Sequence, residues 1–340
     1  MQFSDFCDYV CENISEYLPD CNDVEATLKD TKKNNGVELR SLCVRDEDLK
    51  EYGSNIYLEY YYREYMEKMN IESIMEEIAE EYRISRAKIF ETGLNANDFT
   101  EPNLERIVPR LVNYEKNKDM LENCPYIKYQ DLAITFRMVG RVTERDMMSV
   151  LVDNRMLDKI GMQPQELYHI AVENYNRIFP PTFMSLGSVL SGLICDMPDF
   201  MMDDEPEKSV YVLTNKQSIN GATTMLSNDM MEQAAKELGG NFFILPSSCH
   251  EVLLVPESFA REAEDLASMV YEINRAVVDE MDFLSDTVYR YDAETRVLTM
   301  VNPPESLTKD LEETRSEELE LGEEKRDFDD LEDPPFKKNR

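Results

Sequence analysis

The sequence predicts an α+β fold of mixed, largely antiparallel sheets with packed helices, and three observations predict it. Strand-like apolar runs are bounded by hairpin signals such as Asn35-Gly36. Amphipathic helical stretches fall among these runs without strict strand-helix-strand alternation, which argues against a doubly wound sheet. The chain of 340 residues is 42% hydrophobic and 9% aromatic, enough to bury a sizeable core. Its length favours two compact units, expected over residues 1–100 (helix, hairpin, helices) and 101–304 (a second α+β domain), with a disordered acidic tail over 305–340.

The elements follow in order. "FSDFCDYVCENI" sets Phe3, Phe6, Cys7, Val10, Cys11 and Ile14 on one helical stripe, so both cysteines read as core thiols. Asn35-Gly36 stands between two strand-like runs, and both residues tolerate the positive φ of a tight hairpin. The stretch from Asn55 to Phe90 reads as one or two helices, with Ile56, Tyr60, Tyr61, Tyr65, Ile71, Ile74, Met75 and Ile78 on packing faces. A polar run, Glu91 to Asn103, marks the boundary.

Beyond it, "LERIVPRLVNYEKNKDML" reads as helix and Leu132 to Met138 as strand, followed by a strand, a short helix and a longer helix opening at Pro164. His169 on that helix reads as a packed or half-exposed residue. After an acidic loop, Cys195 to Ser209, the order expected is strand, polar turn, strand, helix stopped by Gly239-Gly240, strand, turn, strand, helix and a closing hairpin. "SVLVDNRMLDKIG" and "TTMLSNDMMEQAAKELG" echo each other as two related strand-helix units, with Asp153 or Ser227 as the helix cap.

Composition narrows the function. The net charge is −34, of which the 305–340 tail holds −7, so −27 remains on the preceding residues. Such a surface repels a phosphate backbone and argues against direct nucleic-acid binding. Seven scattered cysteines and no CxxC pair fit a reducing cytoplasm and offer no zinc-ligand spacing. The start "MQFSDF" lacks the pattern of a signal peptide, and no apolar stretch approaches the ~20 residues that span a bilayer. No G-x-x-x-x-G-K-[ST] or G-x-G-x-x-G occurs, so no cofactor is expected. The acidic "DFMMDDEPE" lacks the ordered ligand alternation of a calcium loop.

The chemistry-bearing stretch is "FFILPSSCHEVLLVP", Phe242 to Pro256. Ser247, Ser248 or Cys249 as nucleophile, His250 as base and Glu251 as its orienting group would form a triad. Strand neighbours alternate in direction, however, so a Pro-led polar hairpin turn is the stronger reading and no catalytic residue is assigned.

Six motifs in the same order, "NNGVEL", "IYLEYYYREY", "RLVNYEKNKDML", "YQDLAITF", "YVLTNKQSINGA" and "FFILPSSCHEVLLVP", resemble the bacterial domain of unknown function 5688 over about Met1 to Val301. The block from Leu132 onward is similar to domain of unknown function 1444. The resemblance implies an intracellular α+β protein without an assigned activity. It also implies that Pro246, Ser247, Ser248, His250 and Glu251 recur while the position of Cys249 is ordinarily apolar. This favours Ser247, Ser248, His250 and Glu251 as a polar binding site, with Asn215 as partner if the hairpins adjoin. The net charge of −34 motivates the function expected, a non-enzymatic cytoplasmic binding or adaptor module whose acidic surface meets another, basic protein, with the Glu305 to Arg340 tail as a candidate contact. The alternative is a small-molecule sensor or enzyme built on the Ser-Ser-x-His-Glu turn.

Overall fold

A helix forms at the N-terminus because its apolar residues recur every three to four positions. α1, Phe3–Asn13, buries Phe6, Cys7 and Val10, and Ile14 continues the stripe just beyond it. The computed structural model describes residues 1–49, 54–92, 99, 101–143, 147–193, 209–258, 260 and 263–301. The acidic loop before Ser209 and the 305–340 tail lie outside the described residues, as does most of the polar boundary stretch at 91–103. Residues Met1–Asn302 pack as one compact unit.

The Asn35-Gly36 signal makes its hairpin. β1, Glu25–Lys32, and β2, Glu38–Arg45, pair antiparallel from Glu25↔Arg45 to Lys32↔Glu38, and the left-handed turn is taken by Asn35 at φ 60° and Gly36 at φ 72°. β3, Ser54–Tyr57, adds to β2 and claims Ile56, expected in a helix; α2, Leu58–Lys68, and α3, Ile71–Thr92, follow. Tyr65, Ile74, Met75 and Ile78 enter the core with Phe6 and Leu42, whereas Tyr60 stays exposed.

A second correction concerns "RIVPRLVN", which is not helix but β4, Ile107–Asn113. Three β-branched residues and Pro109 disfavour a helix, and β4 lies at a sheet edge, where a proline's missing N–H is tolerated. Next come α4, Lys118–Leu121, β5, Tyr126–Tyr129, β6, Leu132–Val142, and β7, Met147–Leu151. β6 pairs with β4 along one side and with β5 and β7 along the other. α5, Asn154–Ile160, is capped by Asp153, whose carboxylate accepts from Met156 N at 2.7 Å. α6, Pro164–Ile178, opens on its proline and packs Leu167 and Ala171 on Ile107, Phe136 and Met138.

The remaining elements are β8, Pro181–Ser185, α7, Leu186–Leu193, β9, Tyr211–Asn215, α8, Asn228–Glu237, β10, Phe242–Leu245, β11, Val252–Pro256, α9, Ala263–Ala276, β12, Tyr289–Asp292, and β13, Val297–Met300. Their six strands form one antiparallel sheet in the order β13-β12-β10-β11-β9-β8. The run Gly221–Leu226, expected to contain a strand, is a 3₁₀ helix, and Ser227 stands at the N-cap of α8 without a side-chain capping bond. Phe242 and Ile244 face Leu111, Leu132 and Ile134 of the four-stranded sheet. Phe243 and Leu245 face Val270 of α9, the alternation that two-sided burial requires.

The two sheets are pinned at Asp131, between β5 and β6. This carboxylate is 5% exposed and accepts hydrogen bonds from Ser285 Oγ at 2.5 Å, Thr287 Oγ1 at 2.9 Å and the Tyr289 hydroxyl. Asp131→Ala leaves three buried hydroxyls without their acceptor. It is expected to lower the unfolding free energy by about 3 kcal/mol or more. Urea unfolding measures this as a lower midpoint at unchanged m value, and a loss below about 1 kcal/mol would show that the carboxylate is dispensable.

Candidate functional site

Three loops meet at the ends of β9 and β11. The first is the loop after Asn215, with Ser218 at φ 53° and Asn220 at φ 50°; the second is the Pro246–Glu251 turn; the third runs from α9 to β12 and carries Asp282. Backbone bonds lock the turn to the third loop: Cys249 N donates to Asp282 O at 2.7 Å, Leu284 N to Ser247 O at 3.1 Å and Ser285 N to Pro246 O at 3.0 Å. On the other side Ala222 N donates to Cys249 O at 3.2 Å and Thr214 Oγ1 to His250 O at 2.7 Å.

Close packing here requires a glycine. A Cβ on Gly221 would lie 2.0 Å from Thr214 Oγ1 and 2.3 Å from His250 O. Neither has room to withdraw, because each is already bonded to the other.

His250 is held at both ring nitrogens. Nε2 lies 3.1 Å from Asp282 Oδ1, and Nδ1 lies 3.1 Å from the carbonyl oxygen of Ser218. Nδ1 is also reached by the Asn220 N–H, which donates to it at 3.4 Å, so this nitrogen meets a donor as well as an acceptor, while Nε2 faces the Asp282 carboxylate alone. The Asp282 carboxylate, and after it the Cys249 thiol, accordingly raise the His250 pKa to about 10, while His250 lowers that of Asp282. Cys249 is buried, with Sγ 3.8 Å from Asp282 Oδ1. The strand alternation expected to part Cys249 from His250 does not operate, because both lie in a turn outside β10 and β11. Among the described residues, Cys249, His250 and Asp282 are the one group of potential metal ligands whose donor atoms all lie within 4.8 Å of one another.

The other expected residues sit around this centre, and the side chains of Ser248, Glu251 and Asn215 are engaged there. Ser248, 8% exposed, accepts His250 N at 2.9 Å. Ser247 contributes its carbonyl to the loop clamp. Glu251 is not bonded to the imidazole; burial raises its pKa, and the charge of His250 and then a hydrogen bond from Ser248 offset part of the rise. Asn215 uses its whole amide: Nδ2 donates to Tyr175 Oη and Ile219 O, both at 2.8 Å, and Oδ1 accepts from Gln217 N at 3.1 Å and Ile219 N at 3.3 Å. It positions the loop that positions His250. Sequence reasoning missed Asp282 and the Ser218 carbonyl, since "DEMDF" is one acidic stretch among many and a backbone acceptor leaves no mark in the residue letters.

His169 is exposed on α6, against the edge of Tyr168. Among the described residues no helix is long and apolar enough to cross a membrane.

Two substitutions test this construction. Gly221→Ala is expected to cost about 2 kcal/mol of stability, read from urea unfolding, because a backbone carbonyl must move. Asn215→Ala is expected to leave the global midpoint lowered by about 1–2 kcal/mol and to raise hydrogen exchange at the Ile219 amide above that of the flanking strand. Unchanged protection of Ile219 would show that the amide does not order the loop.

No curated protein and no solved structure matches the chain. The expected likeness of the block from Leu132 to domain of unknown function 1444 finds no support in the family match. Residues 3–293 match the family described as Family of unknown function (DUF5688). That match covers most of the sequence, and the chain belongs to this family.

Proposed function

We propose that the protein is a non-enzymatic binding module for a basic protein partner, and that the partner docks on α9. The observation that carries this reading is an uncovered stripe on a helix whose other face is already used. Val270 and Asn274 of α9 are buried, whereas Met269 and Ile273 of α9 and Val277, the first residue beyond it, spaced by four, are 40%, 38% and 80% exposed. Asp265 and Glu272 are exposed beside the stripe, and the exposed Asp279 and Glu280 follow it in the loop. An apolar stripe rimmed by carboxylates fits an amphipathic segment with Lys or Arg flanking its own apolar residues. The net charge of −34 adds long-range attraction for such a segment.

A small-molecule reading of the Ser-Ser-Cys-His-Glu turn draws support from the convergence of His250 and Asn215 on one loop. It is weakened because those polar groups are already engaged, Asn215 by the Gln217 and Ile219 amides and His250 by Asp282.

The test is affinity capture from a whole-cell lysate, identification of the bound protein and reconstitution with that protein purified. A basic partner is expected, with affinity falling at least tenfold between about 0.1 M and about 1 M salt, where the screening length shrinks from ~10 Å to ~3 Å. The double variant Ile273→Gln, Val277→Gln is expected to weaken binding about tenfold as well, or ~1.4 kcal/mol. Absence of a reconstituted complex, or a complex indifferent to both salt and the substitutions, overturns the reading.

A further inference from the structure

We infer that Cys249, His250 and Asp282 form a binding site for one divalent transition-metal ion of the zinc type, with three protein ligands and an open fourth position. The geometry carries this. His250 Nε2 and Asp282 Oδ1 are 3.1 Å apart, and Cys249 Sγ and the same oxygen are 3.8 Å apart. Around a tetrahedral ion with bonds of about 2.1 Å to nitrogen and oxygen and about 2.3 Å to sulfur, ligand atoms stand roughly 3.4–3.6 Å from one another. These two spacings bracket that range and the third pair, Cys249 Sγ and the His250 nitrogen, lies within 4.8 Å, so side-chain rotations of up to about an ångström complete the site.

Three further features fit a metal centre. The donors are preorganised, since the Cys249 N–H bond to Asp282 O at 2.7 Å and the bridge between Ser248 and Phe283 fix the two segments that supply them. The far nitrogen of the imidazole is already oriented: Nδ1 lies 3.1 Å from the Ser218 carbonyl and 3.4 Å from the Asn220 N–H, and the shorter contact, with the proton on Nδ1, is the hydrogen bond that holds a metal-bound histidine with Nε2 toward the ion. The side chains of His250 and Asp282 are 34% and 42% exposed, so solvent reaches the fourth position while the thiol side is covered. A nitrogen, a sulfur and one carboxylate form a borderline set that suits zinc, cobalt or nickel ahead of magnesium or calcium. On binding, the thiol and the imidazolium each lose a proton to water, and the resulting thiolate with the Asp282 carboxylate balances the two charges of the ion. Arg110 also faces Asp282 and opposes the cation, but as one charge against two.

Cobalt(II) titrated into the metal-free full-length chain at neutral pH tests the site. The expected result is one ion per chain, with visible bands of tetrahedral intensity and a near-ultraviolet thiolate-to-metal transition, both abolished by one equivalent of zinc. Cys249→Ala is expected to remove the thiolate transition and weaken binding at least tenfold. Its fold survives because the loop clamp uses the backbone of Cys249, and its far-ultraviolet circular dichroism checks this. Asp282→Asn is expected to weaken binding at least tenfold, whereas Cys124→Ala, at a buried thiol outside the cluster, leaves the titration unchanged. No thiolate transition in the unaltered chain, or one that persists in folded Cys249→Ala, overturns the inference. Weak binding of several ions, indifferent to all three substitutions, also overturns it and assigns the cobalt to the acidic surface.

Discussion

Burying a carboxylate costs several kcal/mol unless its oxygens find donors, and Asp131 finds three hydroxyls on one short stretch, Ser285 to Tyr289. That requirement fixes the distance between the four-stranded and six-stranded sheets. It also fixes the end of the loop that carries Asp282. Because Leu284 N and Ser285 N bond to the Ser247 and Pro246 carbonyls, the loop in turn holds the hairpin turn. The candidate site is thus downstream of a buried acid that touches none of its side chains.

The same loop is gripped from its other side by amides. Asn35 Nδ2 donates to Glu280 O and Phe283 O, both at 2.7 Å, and Asn113 Nδ2 donates to Leu284 O at 2.9 Å. Asn117 ties these two asparagines together, bonding Asn35 Oδ1 and Asn113 O, both at 2.8 Å. Neutral amides do this without the desolvation penalty of a buried charge, which matters in a chain already carrying −34. The left-handed Asn35 therefore has two roles: it turns the first hairpin, and it presents an amide to the loop beside the site.

His250 shows how one residue's chemistry changes with its surroundings. As a free base on a turn it would be a candidate for proton transfer. Between the Asp282 carboxylate and the Ser218 carbonyl it becomes a cation joining two loops. A metal ion held by His250 and Asp282 in place of the Nε2 proton would leave both loops joined.

Local rules were readable in the residues. Asn35-Gly36 specified a left-handed turn, Pro164 the first turn of a helix, Asp153 a cap, and Gly239-Gly240 a helix stop, each because one side chain and its own backbone decide the outcome. Four apolar residues, a polar turn and five more apolar residues determined β10, the turn and β11. Where a segment's state depended on a distant partner, the residues alone were ambiguous: "RIVPRLVN" became an edge strand against β6, Ile56 was drawn into pairing with Leu42, and Gly221–Leu226 coiled to clear Thr214 and the His250 carbonyl. The sequence by itself determined the α+β character, the acidity and the hairpin that displays Cys249 and His250. Only the tertiary structure decided that Asp282, 32 residues further on, completes the cluster, since contacts between loops are set by the packing that brings them together and leave no period or spacing in the chain.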